Sequence, residues 1–194
     1  MQGCGGASTW LCSTSSARAG RSTGRGRSWT RRACGRKGGG ELTGPNPVDW
    51  GKAGSELHLL SDVIGLPLVV GVTAANTHDS VMFVPLLDGI PAIRSRRGPR
   101  RRRPSKLHAD KGYDADHLRA ECRRRGIAPR IARRGIESGE RLGRWRWKIE
   151  RSISWTFGYR RLTMRYERKA RYFAAFLSLA ATLTCLKKLA KLTK

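Results

Sequence analysis

The sequence predicts an α/β fold, a mixed sheet flanked by helices, preceded by a disordered or poorly packed segment of residues 1–40. Two observations support this prediction. Residues 41–194 alternate apolar runs with strand-like and helix-like periods, in the order strand hairpin, helix, strand, helix, strand, helix, helix, and such alternation is typical of an α/β domain. Residues 1–40 instead contain no Asp or Glu and almost no aliphatic residue, so they offer no apolar face to bury.

The folded domain opens with a predicted hairpin. Leu57–Leu60 and Pro67–Thr73 are apolar runs on either side of the turn sequence Asp62–Gly65, and the second run is apolar enough for a strand buried on both faces. The polar sequence NTHDS offers N-cap side chains to a helix over Val81–Leu87,. Residues 93–106 follow as a basic loop with two prolines, which we expect to be exposed.

The second half of the domain repeats the pattern of strand and helix. A short strand ends at Asp110, and Gly126 closes the helix that follows, as glycine does at helix C-termini,. The last helix has a broad apolar face, which predicts burial against the sheet. The predicted elements are a strand over Lys106–Ala109, a helix over 114–125, a strand over 127–132, a helix over 145–162 and a helix over 169–189.

The charge of the chain predicts a nucleic-acid partner. Forty Lys and Arg residues stand against 14 Asp and Glu residues, a formal net charge of +26. Such an excess describes partners rather than fold, and arginine is the better phosphate ligand. We expect the basic loops 94–103 and 133–146 to contact DNA phosphates,. The alternative is that high-GC coding inflates the arginine content and that these loops are only solvated.

The chain is expected to be a cytoplasmic protein without a membrane partner. Its N-terminus lacks the apolar core of a secretory signal,. The apolar run Tyr172–Leu186 is too short to span a bilayer,. Five scattered cysteines without a Cys-x-x-Cys pair indicate reduced thiols rather than a zinc site or a disulfide framework,.

Two acidic residues stand out in this basic chain. Asp110 follows a strand directly, and Glu150 lies in a helix next to Arg146 and Arg151. Carboxylates that converge from different elements can hold Mg²⁺ ions against a phosphodiester. Each residue also has an ordinary interpretation. An aspartate after a strand is often a turn former or helix cap, and a glutamate among arginines is common salt-bridge material.

Three motifs resemble a known family. They are HADKGYD, RGIAPRIARRG and RWRWKIERSISW with the YRRL and RYERK sequences behind it. Together with the stretch from GGELTGPNPVD to NTHDS, they resemble the catalytic part of IS5-type bacterial insertion-sequence transposases, within the wider IS4-like DDE group. The resemblance covers about residues 37–190. It implies an RNase H-like fold and cutting and joining of DNA by three carboxylates with Mg²⁺ or Mn²⁺.

The resemblance also implies partners and site residues. The partners that it implies for this chain are the terminal repeats of an insertion sequence, target DNA in the bacterial nucleoid, and further copies of the chain in a homo-oligomer. Asp110 matches the second carboxylate and Glu150 the glutamate, and both are the expected catalytic and metal-binding residues. Arg146 fits the arginine of the helical signature around that glutamate, whereas Gly143 and Phe157 replace its tyrosine and lysine. The expected DNA-binding residues are Arg146, Arg151, Arg160 and Arg161.

The first carboxylate of the family is missing. It belongs to a first strand just before Lys37-Gly38-Gly39, where residues 27–36 hold no acid. Asp49 and Asp62 lie in predicted turns and are poor replacements. We therefore expect a sheet without its first strand and a chain that does not cleave DNA. The alternatives are a non-catalytic basic nucleic-acid-binding protein and a nuclease with a rearranged metal site.

A codon argument suggests a cause for this loss. Trp29-Thr30 requires the codons TGG-ACN, and after a G the overlapping frame reads Val-Asp. We hypothesise that residues 1–36 are translated outside the ancestral frame, which resumes near Lys37.

Overall fold

The computed structural model describes residues 8–13, 34–35, 40–46, 53–94, 100–133 and 150–192. Seven of its strands form one mixed sheet, and two further short strands form a ribbon. The sheet strands are β1 (Ser8–Ser13), β2 (Cys34–Gly35), β3 (Gly44–Pro45), β4 (Ala53–Asp62), β5 (Pro67–Ala74), β8 (Lys106–Ala109) and β9 (Ala128–Ile131), and the ribbon strands are β6 (Ile93–Arg94) and β7 (Arg100–Arg101). The structure therefore confirms the predicted mixed α/β architecture.

The main strands lie in the order β5–β4–β1–β8–β9. β4 pairs antiparallel with β5 and with β1, whereas β1, β8 and β9 run parallel to one another. The short strands β2 and β3 pair with the start of β4. The hairpin turn is fixed by Asp62, whose Oδ1 accepts the amides of Ile64 and Leu66, and by Gly65 at φ 88°.

Helices cover both faces of the sheet. They are α1 (Ser80–Asp88), a 3-10 turn (Lys111–Tyr113), α2 (Asp116–Arg124), α3 (which includes residues 150–157), α4 (Arg160–Thr163) and α5 (Ala170–Leu192). On one face, α1 and α2 pack through Phe83 and Leu118 around Leu60 of β4. On the other face, Phe173 of α5 packs around Leu57 of β4. Leu57 and Leu60 are three residues apart and so point to opposite faces of one strand.

Two short strands are described within residues 1–40, the segment predicted to be disordered or poorly packed. Ser8–Ser13 form a strand between β4 and β8, and Cys34–Gly35 pair with β4. The rest of that segment, apart from Gly40, lies outside the described residues. The run STWLCS contains Thr and Trp, which favour strands, and it pairs on both edges,. Pairing on both edges supplies the hydrogen bonds that the segment could not form alone.

Two helices also differ from their predictions. The helix expected over 145–162 is interrupted at Gly158-Tyr159 between α3 and α4, and residues 145–149 lie outside the described residues. Asp79 precedes α1, but its side chain makes no capping hydrogen bond to the helix. By contrast, α2 ends as predicted. Gly126 adopts φ 68° and its amide donates to the Arg123 carbonyl, while the next amide donates to Cys122, as in a Schellman cap,.

Helix α5 is longer than its apolar run suggested. By length and composition alone, residues 170–191 could cross a membrane, which the sequence analysis had not expected. One face of the helix nevertheless packs on the sheet, where Phe173, Leu177 and Ala180 contact Leu57 and Val72. This face therefore belongs to the core of the domain.

Arg165 connects the start of the domain to its last helix. It is one of the largest fully buried side chains, 1% exposed. Its guanidinium donates to the carbonyls of Glu41 at 2.8 Å, Leu42 at 3.2 Å and Glu167 at 3.0 Å, and to Ser55 Oγ on β4. Buried carbonyls need such donors. Arg165 thus joins residues 41–43, strand β4 and the segment that leads into α5.

His58 is a buried polar residue in the middle of β4. It is 1% exposed, and its Nε2 lies 2.8 Å from Thr73 Oγ1 on β5. Burial lowers the pKa of the imidazole from 6.5 to about 4, because the charged form loses its hydration,. The folded protein therefore holds His58 in its neutral form at neutral pH.

Replacing Arg165 with methionine should destabilise the domain by at least about 3 kcal/mol, because three part-buried carbonyls and the buried Ser55 hydroxyl then lose their donor,. Chemical unfolding of Arg165→Met beside Arg160→Met measures the effect, since Arg160 is exposed. A loss no greater than that of Arg160→Met would contradict the bridging role of Arg165.

Acidification should destabilise the protein through His58. The folded pKa lies below the unfolded value of 6.5, so the stabilisation is fully present above pH 6.5 and is lost as the pH falls toward 4. The loss approaches about 3 kcal/mol for this one group. Unfolding free energies measured across this range should fall less steeply for His58→Gln than for the unchanged protein. Equal slopes would show that His58 does not carry the effect.

Candidate active site

The carboxyl ends of two neighbouring parallel strands, β1 and β8, form the centre of the candidate site. Leu11 of β1 pairs with Ala109 of β8. The next residue along each strand is Cys12 on β1 and Asp110 directly after β8, so the two stand level with each other. On its other edge, Cys12 pairs with Leu59 of β4. Side chains at the carboxyl ends of adjacent parallel strands meet at one edge of the sheet, where α/β proteins build their sites.

Asp110 has the expected position at the strand end. It is half-buried, has extended backbone angles and begins the 3-10 turn. Its Oδ1 accepts the Lys111 amide at 2.6 Å. The ordinary interpretation, a turn-forming cap, is therefore correct for one oxygen. Within the described residues no bond to the other side-chain oxygen is found.

An ion pair holds the turn after Asp110 in place. Arg119 Nη2 lies 2.6 Å from Asp114 Oδ1 and donates to the Ile131 carbonyl at 3.0 Å. Arg119 is itself buried, 8% exposed. Ala115 occupies the cap position of α2, and Asp114 pairs with Arg119. The pair joins the turn, α2 and the end of β9.

Glu150 lies exposed on α3, which is attached to the β4–β5 turn. The guanidinium of Arg151 donates to the Ile64 carbonyl at 2.7 Å, and Ser152 Oγ donates to the Gly65 carbonyl at 2.6 Å. These two bonds hold the start of α3 against the β4–β5 turn. This turn follows Asp62, which pairs with Thr9 near the amino end of β1, whereas Asp110 lies at the carboxyl ends of β1 and β8. The start of α3, which carries Glu150, is therefore anchored at the other end of these strands from Asp110.

The described residues do not assemble a complete metal centre. Among them, no group of three or more His, Cys, Asp or Glu side chains is placed to hold a metal ion. Asp110 and Glu150 therefore remain predicted ligands of Mg²⁺ or Mn²⁺, without a third carboxylate beside them in the described parts of the chain.

The first strand of the family was expected to be lost, and the structure has a strand, β1, beside the hairpin. The sequence of β1, STWLCS, contains no acid. The codon argument concerned Trp29-Thr30, which lie outside the described residues. Asp62 forms the hairpin turn as expected, and Asp49 is likewise outside the described residues.

The predicted DNA-binding arginines differ in their surroundings. Arg146 lies outside the described residues. Arg160 is exposed at the start of α4. Arg161 pairs with Glu167 at 3.1 Å, and Arg151 donates to the β4–β5 turn. Arg160 is therefore the most available of the described three for a phosphate.

Two features of the structure were not predicted from the sequence: the cations beside Trp155 and the strand that contains Cys12. The cations of Lys188 and Arg151 lie 3.9 Å and 4.8 Å from the Trp155 ring centroid, a favourable cation–aromatic arrangement. Lys188 lies on α5, so no local spacing could have revealed the contact. Cys12 was also missed, and only the strand-forming residues of STWLCS could have indicated its strand.

The basic loop expected over 93–106 is partly structured. β6 and β7 pair antiparallel as a short ribbon, and residues 95–99 lie outside the described residues. Residues 94–103 contain seven arginines. Arg102 and Arg103 are exposed as predicted, and the Arg103 guanidinium lies 3.5 Å from the Arg125 carbonyl. The ribbon leads directly into β8, so this charge is attached to the strand that ends at Asp110.

Comparisons with known proteins identify the family. The family model for the transposase DDE domain matches residues 20–185. A Burkholderia cepacia protein inferred to be the transposase for insertion sequence element IS402 is 44% identical over 150 residues, which cover 77% of this chain and 71% of that protein. No solved structure matches the chain. The matched residues include Asp110, Glu150 and the basic loops, and the chain therefore belongs to the DDE transposase family.

Proposed function

We propose that this chain descends from an IS5-type DDE transposase, binds DNA through its basic surface, and does not cleave DNA by itself. The register of β1 and β8 carries the proposal. It makes Cys12 level with Asp110, and β1 holds no acid. The chain thus has a strand at the position of the first carboxylate without the carboxylate.

The strand order supports an RNase H-like sheet, the fold that the family resemblance implies. β1 lies centrally, with the antiparallel hairpin β4–β5 on one side and the parallel strands β8 and β9 on the other. In this arrangement the first and second carboxylate positions fall on neighbouring parallel strands. Their closeness is what a shared metal ion requires.

Asp110 and Glu150 would hold Mg²⁺ or Mn²⁺. Hard divalent ions prefer carboxylate oxygens, and Asp110 offers one beyond the oxygen that the Lys111 amide holds. When bound, the metal supplies positive charge to the attacking and leaving oxygens of a phosphodiester. The chain's own part is to fix the carboxylates. With Asp110 and Glu150 as its carboxylates, the chain would hold such an ion weakly.

The DNA partners follow from the charge and the relative. Net charge +26 gives strong, salt-dependent attraction to phosphates without reading sequence,. The Burkholderia cepacia relative is inferred to serve an insertion sequence. We propose by analogy that this chain acts on the terminal repeats of its own element and on target DNA, in the bacterial cytoplasm at the nucleoid.

The competing function is a basic nucleic-acid-binding protein that never performs phosphoryl transfer. Both functions share the charged surface and differ in the metal site. A chain whose site lacks only the first carboxylate should regain cleavage when that acid is restored. A chain whose site has also lost other catalytic residues should not regain cleavage.

We also propose that residues 1–36 are translated outside the ancestral frame. An acid-free strand at the position of the first strand fits this history. The nucleotide sequence decides the matter, because some alternative frame within this segment must then encode an aspartate-bearing strand.

Restoring an acid at position 12 should create cleavage. Cys12→Asp places a carboxylate level with Asp110, and we expect strand cleavage with Mn²⁺ to rise at least about a hundredfold, since metal-bound charge stabilisation is a major part of such catalysis. The assay uses DNA that carries candidate terminal repeats and follows nicked product.

The matched control is Cys12→Asn, which has the same shape without the charge and should stay inactive. Adding Asp110→Ala or Glu150→Ala to Cys12→Asp should abolish the gained cleavage. Equal activity of Cys12→Asp and Cys12→Asn would refute the assignment of the missing carboxylate to this position.

DNA affinity should depend more on Arg160 than on Arg161. Arg160 is exposed, whereas Arg161 already pairs with Glu167. Arg160→Gln should lower the slope of log affinity against log salt by about 1, and Arg161→Gln should lower it less. Titrations of labelled duplex at several salt concentrations measure both slopes. A larger change for Arg161→Gln would show that the Glu167 pair opens on binding.

A further inference from the structure

Helix α5 has a second apolar face, on the flank of the one that packs on the sheet. Tyr172, Leu179 and Leu186 are exposed by 51%, 54% and 63%. We define the outer seam as Tyr172, Phe176, Leu179, Leu183, Leu186 and Ala190. Contiguous apolar surface of this extent on a soluble domain marks an interaction site.

The outer seam is a continuous stripe along α5. Its members are separated by 4, 3, 4, 3 and 4 residues, the spacing of one face of an α-helix,. The seam runs about 27 Å along the helix. A second helix of matching length would cover such a stripe.

The two halves of the outer seam complement each other. A groove of about 430 Å³ lies beside its N-terminal half, lined by Tyr172, Phe176 and Leu179 together with Arg161 and Glu167. Its C-terminal half instead projects Leu186 into solvent, 63% exposed. In an antiparallel pair of α5 helices centred between residues 179 and 183, Leu186 of one copy lies opposite Phe176 and the groove of the other. Such a two-fold interface uses the same surface on both copies.

The exposed area is sufficient for such a pair. Apolar side chains on and beside the seam are exposed by 36–63%: Tyr166, Tyr172, Phe176, Leu179, Leu186 and Leu189. They leave roughly 500–600 Å² of apolar surface on each copy. Two copies would thus bury roughly 1,000–1,200 Å², close to the lower limit for specific protein interfaces.

The charges beside the seam determine how the pair responds to salt. α5 contains no Asp or Glu, and its cations include Arg171, Lys187, Lys188 and Lys191. Two copies therefore attract through apolar contact and repel through charge. Salt screens the repulsion and should strengthen the pair, whereas it weakens DNA binding.

We propose that the outer seam of α5 pairs antiparallel with the outer seam of a second copy and forms a two-fold dimer. The proposal does not depend on the metal site, because the seam lies on a flank of α5, outside the sheet that carries Asp110. It names the surface through which the chain self-associates without DNA.

Sedimentation of the full chain without DNA tests the dimer. The unchanged protein should show a monomer–dimer equilibrium that shifts toward dimer as salt rises. Leu179→Glu and Leu186→Glu each place a charge in the seam and should raise the dimer dissociation constant at least about a hundredfold. Ser178→Glu adds the same charge outside the seam and should leave it unchanged. Circular dichroism confirms that each variant folds.

Three results would overturn the proposal. The unchanged protein could stay monomeric at every salt and protein concentration. Ser178→Glu could weaken the dimer as much as Leu179→Glu, which would place the interface elsewhere. The chain could bind neutral phosphatidylcholine vesicles through residues 170–191 in preference to itself, which would make a bilayer the occupant. DNA-binding and cleavage assays are separate, so their failure leaves the sedimentation result intact.

Discussion

The buried guanidinium of Arg165 is the contact on which the rest of the domain depends. It donates to carbonyls of residues 41, 42 and 167 and to Ser55 on β4, so it joins the entrance of the domain, the central sheet and the approach to α5. Glu41 strengthens the same junction, because its Oε2 accepts the Ala170 amide at the start of α5. Once α5 is fixed, its inner face closes the core over β4 and β5. The outer face of α5 then has a fixed orientation relative to the sheet, which a partner can bind.

The same sheet explains why an acidic turn exists in so basic a chain. Asp110 ends β8 beside the carboxyl end of β1, and the pair of Asp114 with Arg119 keeps that turn in place. The arginine-rich sequence of the β6–β7 ribbon precedes β8 in the chain. In the function proposed above, the carboxylate would hold a metal ion beside DNA, and β1 supplies no second acid.

Much of this could be predicted from the sequence, and the exceptions share a physical cause. The hairpin turn at Asp62–Gly65, the Gly126 cap and α5 follow from local rules that the residues themselves obey. Strand β1 could not be predicted because its stability comes from partners 45 or more residues away in sequence, not from its composition. The burial of Arg165 could not be predicted for the same reason, since nothing in the local sequence distinguishes a buried arginine from the many exposed ones. At the site, Asp110 could be placed at its strand end, whereas its neighbour Cys12 required the register of two distant strands.

The most direct test of this account is whether β1 is a protected strand in solution. Hydrogen exchange of the full chain, read by mass spectrometry, compares the amides of Thr9–Cys12 with those of Leu57–Leu60 on β4. The account predicts that both sets exchange slowly and become exposed together in denaturant, because β1 is hydrogen-bonded on both edges,. Exchange of Thr9–Cys12 at the rate of an unstructured peptide, with β4 still protected, would contradict it and leave Asp110 without Cys12 of β1 beside it.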